Sequence, residues 1–215
     1  MKPLKIVMLL SIIMACDLIN AQEIRMAYNL ELPLTKKFEF ETESQIKYPV
    51  LYSSSKVLVF ENSLKYKLNK KTDFAIGYKI ASEQGHDLTS LEGAENDKTR
   101  INADVGYKIP VNNPDLSLKF RGRVQYSETG KKQHLYQRSR LTVKYNLHKK
   151  FQPYISDEVF IKLDDTAFRY NRIKVGMETK LSKNLGLDLY FINEMKFKTY
   201  ISMQYIAGLT LGIKI

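Results

Sequence analysis

The sequence predicts an all-β protein, an antiparallel transmembrane β-barrel of 10–12 strands preceded by a cleaved signal peptide. Three observations lead to this prediction. Apolar side chains recur at every second position from Ile24 onward, which is the period of a strand with one apolar face. All but one of the alternating segments are about 9–14 residues long, as needed to cross a bilayer at a tilt. Tyrosines recur near the ends of these segments, as in the aromatic girdles of membrane barrels.

Residues 1–21 are expected to be a secretory signal peptide, which leaves residues 22–215 as the barrel domain. Two lysines precede an apolar stretch over residues 6–15, and Ala21 offers a small residue at the cleavage point. A lipoprotein signal ending at Cys16 is the alternative. Cleavage after Ala21 removes the one cysteine of the chain, which suits an exported protein without redox chemistry.

Eleven alternating segments follow the signal peptide. An odd number is unusual for a bacterial single-chain barrel, so we expect one wrong assignment and a true count of ten or twelve. In chain order, the segments are Ile24–Leu32, Phe38–Tyr48, Leu58–Leu68, Phe74–Ile80, Ile101–Ile109, Leu116–Tyr126, Arg138–Leu147, Tyr154–Leu163, Phe168–Leu181, Leu185–Lys196 and Tyr205–Ile215.

The links between these segments differ in length. Short links rich in Lys, Asn and Pro alternate with mostly longer ones, of which residues 82–97 form the longest. Transmembrane barrels show this asymmetry, with short periplasmic turns and longer external loops. The short turns are predicted at residues 33–36, 69–72, 110–114, 148–152 and 182–184. Girdle tyrosines are predicted at Tyr48, Tyr78 and Tyr126 on the loop side and at Tyr66, Tyr107 and Tyr145 on the turn side.

The residues that alternate with the apolar ones are expected to face the lumen, and many of them are charged. Glu158 falls in this phase between two basic segments, so we expect arginines to flank it and to pair with it. The candidate lumen charge network consists of Glu158, Arg138, Arg140, Arg172, Arg121 and Arg123. In a water-filled lumen such arginines select anions, whereas in a narrow barrel charges of both signs fill the interior.

We therefore expect a structural barrel or a narrow arginine-lined pore for small anionic solutes, with no catalytic activity, no cofactor and no metal. The three histidines are not spaced as metal ligands, and His134 is predicted to lie in a solvated loop. One alternative is a barrel enzyme that acts on lipid or peptide at the outer rim, using His134 with Ser127 or Glu128. The other is a secreted, soluble binding barrel.

The net charge of +11 raises the question of nucleic acid as a partner. We exclude nucleic acid because the basic residues are spread over alternate strand positions and turns, and because the chain is predicted to be exported. The expected location is the cell outer membrane. The expected partners are outer-membrane lipids and, during biogenesis, the barrel-assembly machinery, since Leu211–Ile215 resembles a barrel-assembly signal.

Four short motifs can be compared with known families: the Arg-Ser-Arg sequence at 138–140, the stretches Gln152–Phe160 and Asn171–Met177, and the turn Leu34–Lys37. Together they resemble an uncharacterised family of outer-membrane barrels from flavobacteria and relatives, the domain of unknown function 2490. The resemblance implies a barrel fold and an outer-membrane location. It also implies that Glu158 and Arg172 are family positions, and it implies no activity.

Overall fold

The computed structural model describes residues 21–50, 56–84, 98–130, 132–147, 150–197 and 201–215. These residues form a closed barrel of eleven strands. The strands are β1 (Glu23–Pro33), β2 (Phe38–Pro49), β3 (Lys56–Lys67), β4 (Thr72–Gln84), β5 (Lys98–Ile109), β6 (Leu116–Thr129), β7 (Lys132–Tyr145), β8 (Phe151–Lys162), β9 (Ala167–Lys180), β10 (Leu185–Phe197) and β11 (Ile201–Lys214). Among the described residues, no helix is long and apolar enough to cross a membrane.

The barrel closes through a parallel pair. Each strand from β2 to β11 pairs antiparallel with the strand before it, whereas β1 and β11 run in the same direction. Glu23 lies opposite Ile206, and Glu31 lies opposite Lys214. The eleven segments of the sequence are therefore all strands, and the expectation of an even number is wrong. A parallel closing pair joins the two edges without a twelfth strand, which leaves no edge unpaired.

The two ends of the barrel are named by their links. The turn end carries the links at residues 34–37, 68–71, 110–115, 146–150 and 181–184, and the loop end carries those at 50–55, 85–97, 130–131, 163–166 and 198–200. The links at the loop end exceed those at the turn end in length by less than predicted, because some of them are as short as the turns.

Short polar side chains shape the links at the turn end. Asn69 Oδ1 accepts hydrogen bonds from the backbone N–H groups of Lys71 and Thr72, both at 2.8 Å. Thr35 and Ser182 make the same pair of contacts to the residues two and three positions ahead. Such side chains replace backbone partners that a tight turn leaves unpaired, which explains why the sequence signals these turns clearly.

The outer face of the barrel is apolar. Ile76 is 69% exposed and Ile101 is 54% exposed, so the described residues leave most of both side chains uncovered. Tyr78 and Tyr126 flank Ile101 on neighbouring strands, so the two rings stand at one height near the loop end. An exposed apolar band edged by tyrosines matches the lipid-facing surface of a membrane barrel.

The lumen is filled in two different ways. On β8 to β11 an apolar cluster of Tyr154, Tyr190, Ile192 and Ile206 fills the interior. Tyr154 lies over Gly176 of the neighbouring strand, where a Cβ atom would come within 2.6 Å of the ring. From β2 to β7 the inward side chains are mainly charged. The apolar cluster was not predicted, because its residues belong to the alternate phase that the sequence assigns to charged groups.

Candidate functional site

Glu158 is the centre of one charge cluster in the lumen. Strand register places Arg140 of β7 and Arg172 of β9 on either side of it. Arg140 donates to both carboxylate oxygens, from Nε at 3.1 Å and from Nη2 at 3.0 Å. Arg138 Nη2 donates to Oε1 at 2.9 Å, and Arg172 Nη1 lies 3.5 Å from Oε2. One carboxylate thus faces three guanidinium groups.

Neighbouring side chains complete this cluster. Arg172 also donates through Nε to Glu194 at 3.0 Å, so it bridges two carboxylates. Arg138 donates to the Gln125 side chain at 3.1 Å, and its guanidinium lies 4.4 Å from the centre of the Phe160 ring. Stacking on an aromatic face fixes a guanidinium while leaving its edge free for hydrogen bonds.

Arg121 and Arg123 belong to a second cluster, which is centred on Asp104 of β5. Arg123 donates to Asp104 from Nε at 2.5 Å and from Nη2 at 2.8 Å, and Arg121 Nη2 donates at 2.5 Å. Arg123 also lies 3.1 Å from Glu61 of β3. The six residues of the candidate network therefore fall into two groups. Asp104 was not predicted as a member of the network, although it alternates with apolar residues in its segment.

A different group of residues meets at the loop end. His134 lies on strand β7, so its assignment to a solvated loop is wrong. The strand begins at Lys132, directly after a tight link in which Gly130 has a φ of 56°, so the hairpin is shorter than predicted. Ser127 of β6 is opposite His134 in the register, on the lumen side, whereas Glu128 lies in the alternate phase.

Asp164, in the link between β8 and β9, orients the His134 ring. Its Oδ2 lies 3.0 Å from His134 Nδ1, and its Oδ1 accepts the backbone N–H of Leu135 at 3.1 Å. The hydrogen bonds from Leu135 and then from His134 lower the pKa of Asp164, so the carboxylate stays ionised. With Nδ1–H donated to Asp164, the His134 Nε2 lone pair is free to accept a proton. Asp164 was not predicted, because it lies thirty residues from His134 along the chain.

A cavity opens beside His134. Its volume is about 450 Å³, and its lining combines three cations with two tyrosines. The lining residues are His134, Tyr136, Lys162, Arg169, Tyr170 and Lys196. Lys162 and Arg169 also contact Asp165, which holds them at the rim of the barrel. A base, cationic groups and aromatic rings are thus combined at one end of the molecule.

Among the described residues, no three His, Cys, Asp or Glu side chains are grouped to hold a metal ion. Cys16, His86 and His148 lie outside the described residues, as does the acidic link at 85–97.

Comparisons with known proteins identify a matching family and a similar structure. A family model described as "Protein of unknown function (DUF2490)" matches residues 26–201. The structure is similar to that of LpxR from Salmonella typhimurium, with 8% sequence identity, a TM-score of 0.58 and 87% of each chain covered. No curated protein matches the sequence.

The likeness to LpxR corrects one expectation. We predicted a protein without catalytic activity, but LpxR, whose fold this chain shares, is an outer-membrane lipid A deacylase. At 8% identity the likeness shows the fold alone. It nevertheless overturns the expectation that the protein has no catalytic activity, and function has to be argued from the site.

Proposed function

The chain belongs to the DUF2490 family, whose function is unknown, and we propose that it is an outer-membrane β-barrel enzyme that hydrolyses acyl esters of an anionic lipid. One observation carries the proposal: His134 pairs with Asp164 through Nδ1, and among the described residues its Nε2 has no partner, at the loop end of the barrel beside a cavity with cationic and aromatic side chains.

The apolar outer face and the likeness to LpxR support a location in the outer membrane. In this proposal the signal peptide is cleaved after Ala21 and the barrel-assembly machinery inserts the barrel. The loop end then faces the outside, as the loops of bacterial barrels do. The partners are lipids of the outer leaflet, and nucleic acid is not among them. A secreted soluble barrel is disfavoured, since it would expose the same apolar band to water.

His134 is proposed as the general base. Asp164 holds the Nδ1–H tautomer, and Nε2 takes a proton from a water molecule that attacks the ester carbonyl. The tetrahedral intermediate then collapses, and Nε2–H returns the proton to the leaving alcohol, which yields a free fatty acid and the deacylated lipid. Water is the proposed nucleophile because Ser127, although adjacent in the register, makes no hydrogen bond to His134 in the described structure.

The cavity lining favours a phosphate-bearing lipid over a peptide as substrate. Lys162, Arg169 and Lys196 provide cationic groups for a phosphate, and Tyr136 and Tyr170 provide rings for the adjoining sugar or chain. A cavity at the rim of a membrane barrel also meets lipid directly, whereas a peptide would have to be recruited from solution.

The test is the release of fatty acid from a phosphorylated, ester-acylated glycolipid in mixed micelles by the purified protein. His134→Gln is expected to lower the rate by about 10²–10⁴-fold, the usual contribution of a general base. Asp164→Asn is expected to lower it too, while Ser127→Ala and the matched control Gln133→Ala retain activity. A wild-type protein that releases no fatty acid, or a His134→Gln variant as active as the wild type, would overturn the proposal.

For the lumen itself we propose a structural role rather than a pore for small anionic solutes. The supporting observation is that salt bridges around Asp104 join strands β3, β5 and β6 across the interior, and salt bridges around Glu158 join strands β7 to β10. Together with the apolar cluster around Tyr190, they fill much of the cross-section that a conducted solute would need.

A further inference from the structure

The lumen contains a cavity with an excess of positive charge. Its volume is about 330 Å³, and it is lined by twelve Lys and Arg side chains but only six Asp and Glu side chains. Ten of the twelve cations form salt bridges with carboxylates. In the part of the chain that the structure describes, Lys47 of β2 and Arg100 of β5 are the two that do not. Both are partly shielded from solvent.

Arg100 has an unused hydrogen-bond donor. Its Nε atom is buried and makes no hydrogen bond within the described residues. In the register it lies between Lys79 of β4 and Ser127 of β6, and neither provides a negative charge. Buried donors in folded proteins nearly always have an acceptor, so the Nε–H group of Arg100 lacks a hydrogen-bond acceptor that a ligand could provide.

Lys47 lies among like charges. Its register neighbour on β1 is Arg25, and the charges of Arg25 and Arg100 both act on it. The carboxylate of Glu23 opposes them but is itself paired with Arg25. Among the described residues, Glu43 also lines the cavity without a salt bridge. Four residues along β2 separate it from Lys47, about 13 Å at the usual rise, but its charge acts on Lys79, the register neighbour of Arg100. Four cations, Lys47, Arg100, Arg25 and Lys79, thus face three carboxylates, Glu23, Glu43 and Glu61, so the region keeps a net positive charge.

We propose that Lys47 and Arg100 form a binding site for a phosphate group inside the lumen. Phosphate presents several acceptor oxygens and carries up to two negative charges, so it satisfies a guanidinium fork and an ammonium group together. The site is a closed binding site rather than a conduction path, and it does not depend on the proposed hydrolase activity.

The phosphate could be free or part of a lipid headgroup. Tyr170 lines both this cavity and the cavity beside His134. In addition, Arg100 and His134 are both register neighbours of Ser127. A headgroup that enters at the loop end would therefore reach the same two cations that a free phosphate ion would occupy, and the experiment has to separate the two sources.

The test measures unfolding temperature by circular dichroism in a phosphate-free maltoside detergent at constant ionic strength. One arm adds inorganic phosphate against chloride, and the other adds short-chain phosphatidic acid against short-chain phosphatidylcholine. At a hundredfold excess over Kd the rise is expected to be about 5–10 °C. A rise with inorganic phosphate identifies free phosphate as a ligand, and a rise with phosphatidic acid alone identifies a lipid headgroup. No rise in either arm overturns the proposal.

Variants locate the effect. Arg100→Gln and Lys47→Gln are each expected to abolish the rise in unfolding temperature. Without ligand, each variant is expected to unfold at a temperature no lower than that of the wild type, because a like-charge repulsion is removed. Lys119→Gln removes a lining cation that is paired with Asp73, so it serves as the matched control and keeps the rise. A full response in both Arg100→Gln and Lys47→Gln would contradict the assignment. Since no step measures hydrolysis, failure of the hydrolase proposal leaves this result unchanged.

Discussion

Replacing Glu158 with Gln removes the negative charge on which three lumen arginines converge. The Glu158 side chain is 5% exposed, and Arg138 and Arg140 donate to it at 2.9–3.1 Å. After the change Arg172 keeps Glu194, but Arg140 loses the carboxylate that it contacts. Breaking a buried ion pair on one side costs about 3–5 kcal/mol, because the remaining charge is left without compensation. We expect the free energy of unfolding to fall by that amount.

The assay is urea unfolding of the protein in detergent micelles, followed by far-ultraviolet circular dichroism because the chain has no Trp. Glu178→Gln is the matched control. Glu178 pairs with Lys144 at 2.5 Å, but the two side chains are 37% and 33% exposed, and exposed pairs contribute about 0–1 kcal/mol. If Glu158→Gln and Glu178→Gln each lower the free energy of unfolding by no more than about 1 kcal/mol, the salt bridges of Glu158 do not stabilise the barrel.

Gly176→Ala is expected to destabilise the barrel by about 1–3 kcal/mol in the same urea assay, because the added Cβ would clash with the Tyr154 ring. Gly122→Ala is the control, since a Cβ at that position would make an ordinary van der Waals contact. The reconstituted protein is expected to carry no steady current in planar bilayers; a stable anion-selective conductance would refute a filled lumen. N-terminal sequencing of the exported protein is expected to begin at Gln22, and a start at a lipidated Cys16 would contradict the proposed cleavage.

The strands and their phase are predictable from sequence because each depends on a local pattern. A two-residue period fixes which side chains share a face, so the inward phase of Glu158 and its flanking arginines follows once the order of the strands is known. The turns at Thr35 and Asn69 are predictable for the same reason, since one polar side chain satisfies the backbone next to it.

The features that could not be predicted depend on contacts between residues far apart in the sequence. Asp164 meets His134 only because β7 and β8 pair in a particular register, and no local pattern marks that contact. The apolar filling by Tyr154 and Tyr190 was missed because the inward phase was expected to carry charged side chains. Strands β1 and β11 lie at opposite ends of the sequence, and no local pattern in either segment predicts that they pair in parallel.

The most direct test of the proposed function is the mass of the outer-leaflet lipids in cells that express the wild-type protein or His134→Gln at equal levels. Hydrolysis of an acyl ester by a base at the barrel rim predicts lipid species lacking one ester-linked chain in the wild type, and their loss in the variant. Identical lipid masses in the two cell populations would contradict a catalytic role for the His134–Asp164 pair.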